Sequence, residues 1–305
     1  MGLLLCVRIN NAHQRIMQQR RIPCLEPHMN QTNLLFWPRF QQVMDLQIQS
    51  IKTASIQTIG PLDVQAHYVT RRYADLLTSV LTLNEGFNDQ PAINSMSRLR
   101  QEMEQLYLRF AADFTDRRNY LIYFINQYDL IIATLKVTPT LFVLVLFNAP
   151  FFGVCVSQEG SSQSAVEKEL EYWNAHMTKS INEFVEEELS PAFGGLIQFV
   201  KQSDNITDFS DIEVGTLEKI SVNFSTHWKQ AITNINSRVT TSFGNTKTSQ
   251  GVLQVLLRQL LFFYSKFIGV LEKRFDRNGR IPFRTDPVGL ENVKFEIKRF
   301  LPNIQ

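Results

Sequence analysis

The sequence predicts an all-α protein, an elongated stack of long antiparallel helices, and three observations carry that prediction. Apolar residues recur at alternating spacings of three and four over stretches of twenty-odd positions. Only 13 Gly and 11 Pro punctuate 305 residues, too few for a many-turned β protein. No stretch shows sustained period-two alternation, so no sheet is expected.

The elements follow in chain order. Gly60-Pro61 in front and Asn84-Glu85-Gly86 behind bracket a helix near 62–83. Over 93–114, Ile93, Met96, Leu99, Met103, Leu106, Phe110 and Phe114 fall on one helical face. YLIYFINQYDLIIATL (120–135) is apolar nearly all round and reads as a deeply buried helix. Val166, Leu170, Trp173, Met177, Ile181, Phe184, Val185 and Leu189 mark an amphipathic helix over 166–189. Leu217, Ile220, Phe224, Trp228, Ile232, Ile235, Val239 and Phe243 mark another over 217–243, and 252–272 reads as a second buried helix. Breaks are expected at Pro23–Pro27, Gly60-Pro61, Asn88–Pro91, Ser190-Pro191 with Gly194-Gly195, Gly244–Gly251 and Asn278–Pro287. KFEIKRF (294–300) reads as a last helix docking on the bundle rather than a lipid-binding one, because a short helix with three cations binds lipid weakly.

Lys+Arg 31 against Asp+Glu 29 leaves a net charge of +2, which supplies no global field for nucleic acid or an anionic membrane. Cys6, Cys24 and Cys155 are too few and too scattered for a disulfide framework. The sequons at Asn30, Asn205 and Asn223 therefore read as accidental in a reducing compartment, and the N-terminus fits neither a signal peptide nor a myristoylation site. The five histidines, His13, His28, His67, His176 and His227, never meet metal-ligand spacing. GNTKTSQG (244–251) lacks the glycine and the leading strand of a phosphate loop, and no serine sits in a nucleophile elbow. Glu183, Glu186, Glu187 and Glu188 read as a solvated helix face. No catalytic, cofactor-binding or metal residues are expected, and the chain is read as non-enzymatic.

TLFVLVLFNAPFFGVCV (140–156) is the most apolar run. A spanning helix needs ~20 apolar residues, whereas Asn148 and Pro150 interrupt this one and Leu141–Phe147 is its longest unbroken piece. An integral protein anchored by 140–156 is the alternative reading, and the interior proline weighs against it.

Several stretches carry a resemblance. LLLCVRINNAHQRIMQQRRIPCLEPH (3–28), LLFWPRFQQVMDLQIQSI (34–51), GPLDVQAHYVTRRYADLL (60–77), LSPAFGGLIQFVK (189–201) and SFGNTKTSQGVLQVLLRQLLFFYSKF (242–267) resemble the C-terminal portion of the Vps-fifty-two subunits of the GARP and EARP vesicle-tethering complexes. The resemblance implies a CATCHR-type helical rod and a non-catalytic scaffold in retrograde transport from endosomes to the trans-Golgi network and in endosomal recycling. It implies partner tether subunits, SNARE proteins and a Rab-type GTPase, with the chain cytosolic and peripheral on those membranes through its partners, and no nucleic acid. The family's N-terminal coiled coil has no counterpart here, and the resemblance lapses over 137–163. The expected organisation is a first helical-bundle part at 1–135, an apolar insert at 136–163 that is intron-derived or disordered, and a second bundle part at 164–305. Trp37, Arg39, Arg71 and Arg72 are the candidate partner-binding residues.

Overall fold

A computed structural model describes residues 1–60, 63–87, 89–147, 165–203, 213–275, 283 and 286–300, with side chains left aside at 58–59 and 138–147. Among the described residues there is no strand. The helices are α1 (Gly2–Gln19), α2 (Glu26–Thr53), α3 (Ile56–Ile59), α4 (Tyr68–Asn84), α5 (Gln90–Ala111), α6 (Arg117–Phe147), α7 (Ala165–Ser203), α8 (Val214–Ser242), α9 (Thr246–Phe275) and α10 (Leu290–Phe300). Two compact units result, Met1–Thr178 and Lys179–Gln305, and their division falls inside α7. Of the expected insert at 136–163, residues 136–147 continue α6, and 148–163 lie outside the described residues.

In the first unit α1 turns back onto α2 through a single 3-10 turn at Pro23–Leu25, α2 lies on α5, and α4 lies on α6. The seam expected on α5 is the core: Met96, Leu99, Met103, Leu106 and Phe110 are each under 5% exposed. Phe40, Met44 and Ile48 of α2 meet them at four-residue intervals, each burial contributing roughly 1.5–3 kcal/mol. Ile93 departs from the expectation and stays exposed. An aromatic cluster fills the middle of this unit, with Tyr128, Tyr73 and Tyr172 all within 6.1 Å, centroid to centroid, of fully buried Trp173.

Buried Arg8 of α1 fastens two helix ends at once. Its Nε donates to Leu83 O at 2.7 Å and its Nη2 to Asn84 Oδ1 at 2.9 Å, at the C-terminus of α4. Its Nη1 pairs with Asp89, the residue before α5, at 2.5 Å, and its guanidinium lies 3.8 Å over the Phe87 ring.

In the second unit α8 and α9 pair, and α10 packs on both. Leu217, Phe224, Trp228, Ile232, Ile235, Val239 and Phe243 are buried as the periodicity predicts. Phe224 stacks on Tyr264 at 4.1 Å. The last helix docks through Val293 and Ile297, while Phe295 points outward at 70% exposure.

The break expected at Ser190-Pro191 with Gly194-Gly195 is absent, and the one expected over Gly244–Gly251 narrows to residues 243–245. Pro191 sits inside the 39-residue α7, and Gly251 inside α9, whose start is set by Asn245: its Oδ1 accepts from Lys247 N at 3.1 Å. An interior proline forfeits the bond to the carbonyl four residues back. For Pro191 that residue is exposed Glu187, and for Pro38 inside α2 it is Leu34, 73% exposed, so both losses fall on the outer side of the helix while Phe193 and Phe40 hold the helices to their cores. Among the described residues one helix, Thr246–Phe275, is long and apolar enough to cross a membrane. Its apolar side is occupied within the second unit by α8, by α10 and by Phe199 of α7, which meets Phe267. The run 140–156 lies outside the residues whose side chains are described.

A candidate partner-binding site

HYVTRRYA (67–74) is where the first unit builds its most specific local structure. His67 is extended at φ −81, ψ 152 and caps α4, its Nδ1 accepting from Val69 N at 3.2 Å. Behind it, the fully buried Gln127 amide of α6 accepts from Thr70 Oγ1 at 2.6 Å and from His67 N at 3.1 Å, and donates to Gln65 O at 3.1 Å. Asn126 Nδ2 donates to Val64 O at 2.9 Å, and Tyr107 of α5 donates to Thr70 Oγ1 at 3.1 Å. These bonds take up Val64 O, Gln65 O and His67 N without a helix. That is why α4 starts at Tyr68 rather than near 62, the start the Gly-Pro signal predicts.

The same capping fixes which residues face out. Thr70, Tyr73, Ala74 and Leu77 turn inward and are buried, leaving Arg71 and Arg72 exposed. The Arg72 guanidinium lies 5.3 Å over the half-exposed Tyr68 ring. Among the described residues neither Arg71 nor Arg72 meets a carboxylate.

Beside Arg72 runs a groove of about 400 Å³. Its walls are the C-terminal half of α2 and the first turns of α4, behind which lie the buried Leu99 and Met103 of α5. Half-buried Ile51, Ala54, Val69 and Leu76 line its sides, with Tyr68, Arg72 and Ser50 at the rim. Arg109 Nη2 donates to Ile51 O at 2.9 Å, setting a further cation on the C-terminal end of α2 at this groove.

Arg72 is thus placed on a concave surface, and the other three candidate residues are not among its lining. Arg71 is exposed beside it. Trp37 is half-buried, edge-on to Phe40 at 5.8 Å, and packs on the core. Arg39 is exposed and donates to Gln42 Oε1 at 2.5 Å. The α2 and α5 side of the groove carries no short motif, and only the amphipathic spacing of α5 hints at Leu99 and Met103.

Two further ionic features sit apart from the groove. Arg100 pairs with Glu169 at 2.6 Å beneath the Tyr172 ring, whose hydroxyl donates to Glu104. Burial pushes the Glu169 carboxyl above its ordinary range against the opposing pull of Arg100. In the second unit Glu188, read from sequence as part of a solvated face, has its side chain fully buried and takes Arg238 Nε at 3.0 Å and Nη2 at 3.3 Å. Glu186, exposed and paired with Lys201 at 3.0 Å, fits the solvated reading. Among the described residues no group of three or more His, Cys, Asp or Glu could hold a metal ion.

Comparison with known proteins adds a second line. A family model described as "Vps52, C-terminal" matches residues 1–140. The Arabidopsis thaliana "Vacuolar protein sorting-associated protein 52 A" is 31% identical over 304 residues, covering 98% of this chain and 39% of that protein. Its "52 B" counterpart is 32% identical over 303 residues, with the same coverage of 98% and 39%. The Homo sapiens "Vacuolar protein sorting-associated protein 52 homolog" is 28% identical over 307 residues, 99% of this chain and 39% of the relative. The chain spans about two fifths of the length of the curated relatives it matches. No solved structure matches it. Similarity running nearly end to end, with the family model seated on the α1–α6 segment, is similarity to the C-terminal portion of Vps52 proteins.

Proposed function

We propose that this chain is a non-catalytic scaffold of a multisubunit tethering complex of the GARP and EARP kind. In this reading it acts in retrograde transport from endosomes to the trans-Golgi network and in endosomal recycling. It docks other tether subunits, SNARE proteins and a Rab-type GTPase, and it is held on those membranes as a peripheral protein through its partners. The observation that carries the reading is the end-to-end similarity to proteins named for vacuolar protein sorting. Long helices that leave cationic and apolar residues on their outer faces suit it physically, because they offer partner surfaces at ~1.5 Å of length per residue. Trp37, Arg39, Arg71 and Arg72 are proposed as partner contacts.

The test is purification of the tagged chain from cells under gentle conditions. Recovery of partner tether subunits, a SNARE or a Rab-type GTPase is the expected outcome, and a chain that purifies with none of them overturns the reading. Extraction at alkaline pH decides against the anchored alternative at 140–156, since a peripheral subunit is released and a spanning helix is retained. The proposed division at 135 and 163 is tested by sequencing transcripts across it. Most messages lacking the codons for 137–163 would fit an intron-derived insert, and most retaining them would dismiss it.

A further inference from the structure

We propose that the turn joining α1 to α2 is a direct membrane contact, with Arg20 and Arg21 at anionic lipid headgroups and Ile22 and Leu25 in the outer acyl layer. This goes beyond the scaffold reading, which holds the chain on membranes only through its partners, and it stands or falls without that reading.

Three observations select a lipid surface. The end of the α1–α2 hairpin projects rather than packs. No residue from 11 to 39 is buried, and 18–25 are exposed without a break. The two helices are laced there by amides: Gln14 Nε2 donates to Asn30 Oδ1 at 2.6 Å, and Asn33 Nδ2 to Asn11 Oδ1 at 2.8 Å. Ile22 and Leu25 stay 42% and 49% exposed at its end. An open crevice of about 310 Å³ beside the turn is bordered by Arg21, Ile22 and Pro23, so cationic and aliphatic surface run together. The charge there is also one-signed. Residues 11–39 carry four arginines against a single acid, Glu26. Among the described residues Arg15, Arg20 and Arg21 form no ion pair. α10 has three cations too, but Lys294 and Arg299 are taken up by Glu291 and Glu296 at 2.7 Å each. A bilayer supplies both halves of the match in one plane, anionic headgroups outside and hydrocarbon beneath. Finally, Arg21 occupies a position that favours glycine. Its φ of +54 is left-handed, the one positive value at a non-glycine among the described residues. Its N–H and that of Ile22 close the end of α1 on Gln18 O at 3.1 Å and Met17 O at 3.0 Å, a turn in which this position is usually glycine. An arginine kept there against the local preference is expected where its side chain is used.

Co-sedimentation of the purified full chain with vesicles tests this, phosphatidylcholine alone against phosphatidylcholine mixed with phosphatidylserine. Binding should require phosphatidylserine and weaken as salt rises. Arg21→Gly should keep or raise the melting temperature, since glycine suits that backbone, and still lower vesicle binding about fivefold. Arg20→Glu combined with Arg21→Glu should abolish it. An environment-sensitive fluorophore on Cys24, which lies between Pro23 and Leu25, should shift to the blue on phosphatidylserine vesicles. The same label on Cys6, exposed on α1, should not, with the other cysteines replaced by Ser in each case. Circular dichroism confirms that the variants are folded. The proposal is overturned if the chain ignores phosphatidylserine, if the double glutamate variant binds as well as the unmodified chain, or if the Cys6 label shifts and the Cys24 label does not. It is also overturned if the arginine variants lose partner subunits in cells while vesicle binding is unchanged, which would make the turn a protein contact. The vesicle measurements need no partner, so they are independent of the cellular co-purification.

Discussion

Replacing Arg8 with Met is the sharpest perturbation the fold offers. Methionine keeps the apolar stem of a side chain that is only 2% exposed, so the loss is confined to the guanidinium. That group makes three polar contacts, to Leu83 O at 2.7 Å, Asn84 Oδ1 at 2.9 Å and Asp89 at 2.5 Å. Hydrogen bonds to a charged group are worth about 1.5–3 kcal/mol each. Their full sum overshoots, because the Asp89 side chain is 27% exposed and rehydrates when its partner goes. The buried carbonyl of Leu83 has no such relief. A net cost of about 3–5 kcal/mol follows, which in a domain of this size lowers the melting temperature by roughly 6–20 °C. Thermal unfolding by circular dichroism reads the total. Hydrogen exchange by mass spectrometry reads the place: protection should fall in peptides from 2–19, 68–84 and 90–111 and hold in 214–275. Asp89→Asn should cost less than R8M, and the double variant less than the sum, since both remove the same pair. An R8M chain within 1 kcal/mol of the unmodified protein, or protection lost evenly across both units, would refute the argument that this arginine fastens the two helix ends.

Other consequences can be checked in the same preparations. Arg238→Ala should destabilise the second unit by about 3 kcal/mol and Glu188→Gln by about 1 kcal/mol in urea titrations. The first leaves a buried carboxylate with less compensation, and the second removes the charge itself; the reverse order would contradict the buried pair. Burial raises Glu169 in the folded state, so the fold takes up its proton more readily than the open chain does. Its contribution is therefore present below its unfolded pKa and declines as pH rises through the folded one. Glu169→Gln should remove that decline from a stability profile taken between about pH 4 and 6. Tyr73 and Tyr107 are raised well above the usual phenol range by burial, and Tyr172 is pushed up to about 12 by burial and by Glu104. Absorbance at 295 nm on raising the pH should show these three ionising only as the fold opens; early ionisation of all eight tyrosines would contradict the aromatic core.

How much of this was legible beforehand depended on what each helix does with its polar residues. The seams of α5 and α8 read directly, because nearly every three-four position is apolar and nearly every one is buried. α1 and α2 carry the family resemblance but show no comparable apolar seam. The inward side of α1 spends positions on Arg8 and Asn10, and α2 exposes Leu34, Leu35 and Leu46 on the side opposite Phe40, Met44 and Ile48, so hydropathy points both ways. Pro191 misled because the residue four before it, Glu187, lies on the exposed side of α7 while Phe193 and Leu189 anchor the helix on either side. Of the candidate contacts, Arg72 was visible as half of a basic pair in a motif. Its groove was not, since Ile51 and Leu99 come from elements far apart in the chain and nothing local marks their meeting.

The segment from Asp63 to His67 is held by its amides and carbonyls: Gln127 and Asn126 grip Val64 O, Gln65 O and His67 N, and no side chain of Val64 or Gln65 takes part in those bonds. A strand of main chain clasped this way follows a route its own letters do not dictate. Related chains are free to spell Val64, Gln65 and Ala66 differently while tracing the same path, so long as the two amides on α6 and the His67 cap persist. Mutational drift should therefore be tolerated on the clasped side and punished on the clasping one.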